Sequence, residues 1–513
     1  MMNSNSPIKV FVNTIALYIK LIITVVVGLY LTRILLDRLG VEDYGIYNLI
    51  GGVVSLLSFL QTALSVSTQR YLSVSLGKND QNLVNNIFSS SYAIHIVLSI
   101  VILIAFELCS LFLFDGFLNV PEDRIDAAKN VYHIMVLSTF FTILQVPFTA
   151  SITAHEDLWF LAIIESVSAL LKLAVIFLFD WSSMDAVVLY SLWIFIITVL
   201  SFIPKVIWSA LKYKECHVFR FFKYVRKDSV KEMLGFTGWN AFGTLALVGR
   251  NQGVAILQNI FFGPAINAVY GIANQVNSQL VYCSQIMTTS ITPQIMKSEG
   301  EGNRDRMLRL SVFASKLAFF LSSVLALPLI IEINTVLGVW LKEVPEYTQT
   351  YCILTLCMFL VMQLYPGLSR AVQAVGNIKT YQIVTSVLLL LPIPLGYIMY
   401  KVGMHHTSVL YLMIISQALQ MIYAIRYLHR NAGLNLKIFY AYILKAILVF
   451  SFVYLVGSQL HLFLLSHAST LITFLVTCSS IVILFIVLSF LLIFDQQERE
   501  SIFGMLKSLI KKR

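Results

Sequence analysis

The sequence predicts an all-α polytopic membrane protein with about 14 transmembrane helices. Three observations carry this. Of the 513 residues, 58% are hydrophobic. Only 12% are charged, against the roughly 25% that solvates an ordinary soluble protein. Apolar stretches long enough to cross the hydrocarbon core, which takes about 20 residues, recur from one end of the chain to the other. The same numbers exclude disorder, collagen and coiled coil, and ordinary soluble enzymes with them.

The stretches fall at roughly 11–35, 44–65, 88–114, 131–153, 158–179, 185–209, 235–261, 266–292, 311–340, 349–368, 380–400, 407–428, 438–458 and 469–494. Most are unremarkably apolar. Two are not. The stretch 235–261 contains Asn240, Arg250, Asn251 and Gln252, and 266–292 contains Asn274, Gln275, Asn277, Gln279 and Gln285. Helices this polar do not face lipid, so they span only if the polar side faces a cavity or another helix. The first stretch follows MMNSNSPIK with no small-residue cleavage site, so it reads as an uncleaved helix and not a signal peptide.

Charge placement sets the expected orientation. With a cytoplasmic N-terminus, 25 of the 36 basic residues fall inside. Six fall outside (Arg33, Arg38, Arg124, Lys129, Lys342 and Lys401), and Lys20, Lys172, Arg250, Lys316 and Lys445 fall within spans. Both termini are thus expected in the cytoplasm, with the basic segment 205–231 between span six and span seven, a second block at Lys297–Arg309, and the tail Lys511-Lys512-Arg513. The outside segment 115–130 is too short for a domain. The net charge of +10 therefore belongs to membrane orientation and not to nucleic acid. Cys109, Cys216, Cys283, Cys352, Cys357 and Cys478 are scattered with no CxxC, which indicates neither a disulfide framework nor a metal site. No cofactor is expected.

A repeat appears at a fixed offset of 223 residues. Gly40 matches Gly263, Tyr47 matches Tyr270, Ser55 matches Ser278, Ser67 matches Ser290 and Gly77 matches Gly300. Both copies start on the same expected side, so two parallel halves are predicted, as in many transporters. The expected organisation is an N-lobe over 1–209, a basic linker over 210–234, a C-lobe over 235–428, two further helices over 438–494 and a tail over 495–513.

Charges inside spans cost a few kcal/mol each and mark function by default. Lys20 and Lys172 lie near the middle of spans one and five, and Arg250 lies deep in span seven. The in-span acids are Glu107, Glu165 and Glu332. Deep cations suit a phosphate or carboxylate. The candidate substrate-binding set is Lys20, Arg250, Lys172, Asn240 and Asn274, with Glu165 and Glu107 as candidates for ion coupling. Each has a plainer account. Glu165 and Lys172 share a helix face and can pair with each other or with a neighbouring helix. Asn274, Asn277, Gln275 and Gln285 can be interhelical glue or cavity lining. Lys316 and Lys445 lie within two turns of the cytoplasmic end and read as snorkelling residues. His405 and His406 are adjacent and would point apart on a helix, which argues against a metal site. Pro147, Pro204, Pro293, Pro328, Pro366, Pro392 and Pro394 lie in or near spans and predict kinks. No Walker loop, GxSxG, HExxH or dinucleotide fingerprint occurs, so no enzyme is indicated.

The stretch RILLDRLGVEDYGIYNL at 33–49, with its second-half counterpart Gly263…Tyr270…Gly300, resembles the polysaccharide transport family. These are the O-antigen and capsule repeat-unit flippases of the multidrug/oligosaccharidyl-lipid/polysaccharide exporter superfamily. The resemblance implies a MATE-like fold of two six-helix lobes plus two C-terminal helices around a central cavity. It implies movement of undecaprenyl-diphosphate-linked oligosaccharide across the bacterial inner membrane by alternating access. The implied partners are the lipid-linked substrate, membrane lipids, a polysaccharide polymerase and a chain-length regulator, with no nucleic acid. By position in that fold Lys20 and Arg250 would line the cavity. Cation-extruding relatives need acids in the first lobe, and span one here offers Lys20 instead. The competing readings are a drug/cation antiporter, supported by Glu107 and Glu165, and a membrane polysaccharide polymerase or glycosyltransferase, disfavoured by the short outside loops.

Overall fold

The structure is a computed structural model and describes residues 6–55, 58–114, 121–181, 184–216, 221–341, 344–467 and 469–500. Parts of the expected loops (115–120, 217–220 and Lys342) and the basic tail at 511–513 lie outside the described residues.

The described residues are helical with no strand. In chain order the helices are α1 (Ser6–Ser55), α2 (Ser58–Gly77), α3 (Gln81–Phe112), α4 (Ile125–Leu144), α5 (Val146–Ala154), α6 (Leu158–Ala174), α7 (Ala186–Lys212), α8 (Lys227–Gly300) and α9 (Arg304–Ile331). Then follow α10 (Ile333–Trp340), α11 (Thr348–Gln363), α12 (Pro366–Val375), α13 (Lys379–Leu390), α14 (Pro392–Lys401), α15 (Ser408–Ala432), α16 (Leu436–Leu465) and α17 (Thr470–Leu492).

Among the described residues, ten segments are long and apolar enough to cross a membrane, and the pair α11–α12, bent by 44°, makes up to eleven. The expected count of about 14 is therefore approximate. The stretches 44–65, 235–261 and 266–292 are not among these segments: the first runs across 56–57, outside the described residues, and the other two lie in α8, which Gly263 breaks. Their described residues are helical, in α1, α2 and α8.

Prolines set three of the breaks, while Pro204 and Pro328 lie inside continuous helices. Pro147, Pro366 and Pro392 each sit in the first turn of a new helix, α5, α12 and α14. Proline lacks the N–H and its ring clashes with the carbonyl four residues back, so one apolar run becomes two helices. Gly263 breaks α8 with φ 77° and ψ −175°, a left-handed geometry that glycine adopts without a Cβ clash.

The repeat is visible in the backbone. α2 ends at Gly77 and α8 at Gly300. Two residues on, Asn79 and Gly302 take positive φ. Asp80 and Asn303 then cap the next helix, accepting from Leu83 N at 3.1 Å and Arg306 N at 3.0 Å. Both later pairs keep the 223-residue offset, so the match extends beyond sequence identity.

The chain divides into two compact units, Lys9–Ala241 and a second built from Phe242 onward. In the first, Leu72, Phe88, Phe148 and Ile152 form one core and Ile50, Val131 and Tyr132 another. In the second, Val254, Tyr270, Tyr351 and Val409 form the core. α16 joins this unit through Tyr442, whose hydroxyl donates to Ser315 O at 3.1 Å. Within the expected basic linker over 210–234, Glu215, Cys216 and Phe221 are buried.

Candidate functional site

Four helical segments of the N-terminal unit converge on one charged group. Lys20 of α1 forms an ion pair with Glu165 of α6. Lys205 of α7 is 5% exposed, and its Nζ donates to Gln145 Oε1 at 2.8 Å. Gln145 is the residue between α4 and α5, where the Pro147 break turns the chain. Lys205 also interacts electrostatically with Glu165 and Lys20. The cluster thus holds two lysines against one glutamate. Lys172, half-buried on α6, feels Glu165 at longer range.

This arrangement corrects two readings and decides a third. Lys20 is not a lone deep cation. Of the two alternatives open to Glu165, the neighbouring helix supplies the partner: it pairs with Lys20 and not along its own helix with Lys172. Lys205 is not a cytoplasmic loop residue, because α7 continues to Lys212. The signal for Lys205 was its place beside Pro204 in an apolar run, masked by the basic residues that follow.

In the C-terminal unit, Arg250 of α8 is 5% exposed. Its Nε and Nη2 donate to Asn251 Oδ1 at 3.1 and 3.0 Å. It interacts electrostatically with the hydroxyls of Tyr270 and Tyr365, and among the described residues no carboxylate pairs with it. A hydroxyl–amide network surrounds this region. Gln417 donates to Tyr365 at 2.6 Å, and Gln258 to Tyr351 at 3.2 Å. Tyr400 donates to His406 O at 2.8 Å. Such polar groups are costly in an apolar interior unless bonded. Tyr270, past the Gly263 break of α8, and Tyr365, between α11 and α12, were missed at the sequence level as partners of Arg250.

The other candidates are dispersed. Asn240 falls in the N-terminal unit, buried, and donates to Phe236 O of its own helix at 3.1 Å. Asn274 is half-buried on α8, and its carbonyl accepts from Ser278. Glu107 pairs with His133 at 2.8 Å, both about 40% exposed, away from Lys20. Glu332 is buried against His461 at 2.7 Å.

Two further expectations fail. Lys316 does not snorkel: it is 6% exposed and its Nζ meets Glu498 Oε2 at 2.7 Å. The turn after α17 brings acids back over it, which span counting cannot see. His405 and His406 do not point apart, because they lie in the turn before α15 and their rings are 3.8 Å apart. Lys445 is exposed on α16, as snorkelling requires.

The motif at 33–49 has a mechanical role. Asp43 takes a fork from Arg124 Nε at 2.8 Å and Nη2 at 2.5 Å, and Arg124 also reaches Asp185 at 2.6 Å. Asp185 caps α7. Burial pushes its carboxyl up, but the Arg124 bonds outweigh this and hold it below the usual range. Tyr47 packs edge-on against Tyr190 at 5.1 Å. At another position, Asp157 binds Lys212 at 2.7 Å, Tyr213 at 2.6 Å and Lys9 at 3.2 Å. Burial opposes its ionisation, yet these donors hold its pKa low. α1, the α5–α6 turn and the end of α7 are thereby clasped together.

Residues 17–178 match the MatE family. The uncharacterized membrane protein EpsK of Bacillus subtilis (strain 168) is 26% identical over 174 residues, 33% of this chain. The match spans only 34% of that protein's length. Among solved structures, an outward-facing multidrug resistance MATE family transporter of the MOP superfamily superposes with a TM-score of 0.72 at 14% identity. That match covers 85% of this chain and 99% of that one. A MOP superfamily transporter from Pyrococcus furiosus Vc1 (DSM3638), described by the reverse polarity of its binding pocket, gives 0.71 at 14% identity over 84% and 98%. The chain is a polytopic membrane protein with the MATE transporter fold, and residues 17–178, about a third of it, match the MatE family.

Proposed function

We propose that this protein is a flippase that moves an undecaprenyl-diphosphate-linked oligosaccharide across the bacterial cytoplasmic membrane by alternating access, with both termini in the cytoplasm. The observation that carries the reading is Arg250: a buried guanidinium with no carboxylate partner among the described residues. Lys20 and Lys205 against a single Glu165 add a second cationic group. A diphosphate crossing hydrocarbon bare costs many kcal/mol. Opposite charge held in the transporter lowers that cost, and a guanidinium meets phosphate oxygens in a fork. The polysaccharide-transport resemblance of 33–49 points the same way, and a reverse-polarity pocket is described for the Pyrococcus furiosus neighbour. Asn274 and Lys172 belong to the proposed substrate path. A polysaccharide polymerase and a chain-length regulator are the proposed partners.

A drug/cation antiporter fits the fold equally, and the in-span Glu165 favours it. Complementation separates the two. In a flippase-deficient strain at matched membrane levels, Arg250→Ala should abolish surface polysaccharide, Arg250→Lys should restore part of it, and Asn274→Ala should cost less. Full complementation by Arg250→Ala would remove the flippase reading. Extrusion of a cationic dye by the wild type, lost in Glu165→Gln, would establish the antiporter.

A further inference from the structure

A second basic site lies at one end of the C-terminal unit, outside the groups used above. A cavity of about 410 Å³ is formed by the α12–α13 turn and the last turns of α15. That volume is within the roughly 300–1,000 Å³ typical of small-ligand sites. Asn377 and Thr380 form one side, and Tyr423, Arg426, Tyr427 and Arg430 the other.

The walls are fixed. Tyr427 donates its hydroxyl to Asn377 O, and Asn431 donates to Tyr427 O at 2.8 Å. The rings of Tyr381 and Tyr423 stack at 6.0 Å, and Tyr423 lies 6.2 Å from Tyr427. The two guanidinia are not fixed. The nearby acids of the α8–α9 turn are taken: Glu299 holds Arg304 at 3.1 Å and Glu301 holds Arg306 at 3.0 Å. Arg304 in turn donates to Asn431 O at 3.2 Å, which places that turn beside the cavity. Among the described residues Arg426 and Arg430 have neither a carboxylate partner nor a hydrogen bond.

Arg426 and Arg430 are one helical turn apart, about 6 Å along the axis, on the same face. Two forked donors beside hydroxyl and amide donors suit the oxygens of a phosphate. α15 is one of the apolar spans, so its final turn meets the membrane interface, where basic pockets between helices hold phospholipid headgroups. We propose that this cavity binds the phosphate of an anionic phospholipid headgroup. The proposal goes beyond the flippase reading and does not rest on it.

The test uses the purified full chain in detergent. Thermal shift and native mass spectrometry are read against phosphatidylglycerol, phosphatidylcholine and sodium phosphate. The expected result is saturable stabilisation by phosphatidylglycerol, with little from phosphatidylcholine. Arg426→Gln/Arg430→Gln should weaken phosphatidylglycerol binding at least about tenfold, while Arg426→Lys/Arg430→Lys retains much of it. The lysine variant guards against a misfolded glutamine variant. Saturable binding of sodium phosphate, lost in the glutamine variant, would support the phosphate site and assign a soluble source. Equal retention of phosphatidylglycerol by wild type and glutamine variant, or equal binding of phosphatidylcholine, would overturn the proposal.

Discussion

Replacing Lys20 by alanine tests whether the cluster of the N-terminal unit acts through its net charge. Lys20 and Glu165 have side-chain exposures of 20% and 39%. Breaking a fully buried pair costs roughly 3–5 kcal/mol, and an exposed pair is worth about 0–1. With Glu165 more than a third exposed, the stability loss in Lys20→Ala should be about 1–2 kcal/mol. The effect on transport is separate. Lys20, Lys205 and Glu165 together carry one positive charge, and Lys20→Ala removes it. A unit charge about 8 Å from a phosphate in a medium of effective dielectric about 20 is worth about 2 kcal/mol, or roughly thirtyfold in rate. Lys20→Ala/Glu165→Gln restores the single positive charge and should recover flipping to within a few-fold of wild type. Glu165→Gln alone should lose similar stability and, with two positive charges left in the cluster, should flip no slower than wild type. The assay is initial-rate translocation of a fluorescent lipid-linked oligosaccharide in proteoliposomes, with thermal melts of the same preparations. A wild-type rate for Lys20→Ala would refute a transport role for the cluster. A double variant no faster than Lys20→Ala would refute the net-charge argument and leave Lys20 as an individual contact.

Three other outcomes follow from packing and charge. Gly367→Ala puts a Cβ 2.0 Å from Ser311 O, a backbone atom that cannot swing away, so overpacking should cost about 3 kcal/mol or more; an unchanged melting temperature would contradict the close α9–α12 approach. Lys316→Ala leaves Glu498 without its principal partner and should cost about 2–4 kcal/mol, whereas Lys445→Ala, on an exposed face, should stay within about 0.5 kcal/mol; equal melts for the two would restore the snorkelling account of Lys316. Glu215 is buried, which pushes its carboxyl up, but bonds from His155 at 2.8 Å and Ser151 at 2.9 Å hold it below its ordinary value. Its contribution is therefore present above about pH 4.5 and lost as pH falls through the lower folded value. The stability deficit of Glu215→Gln relative to wild type should shrink between pH 6 and pH 3.5, and a constant deficit would reject that assignment.

The sequence by itself determined the class, most spans and the periodicity of the fold. Hydrophobic runs are local, and a bilayer demands that each satisfy its own backbone hydrogen bonds, so helices follow directly from composition. Proline positions gave the breaks at α5, α12 and α14 for the same local reason. The 223-residue offset located Gly77 and Gly300, where α2 and α8 end. What the sequence left open was which charge meets which. Glu165 had Lys172 two turns away on its own helix, yet the ion pair went to Lys20, about 145 residues earlier. Lys316 sat where a lysine snorkels, until the turn after α17 brought Glu498 back over it. Lys205 looked like the first residue of a basic loop, although α7 runs seven residues past it to Lys212. Tertiary packing decided these cases because electrostatic partners are chosen by proximity in space, and the energy of a charge depends on whether its neighbours exclude water.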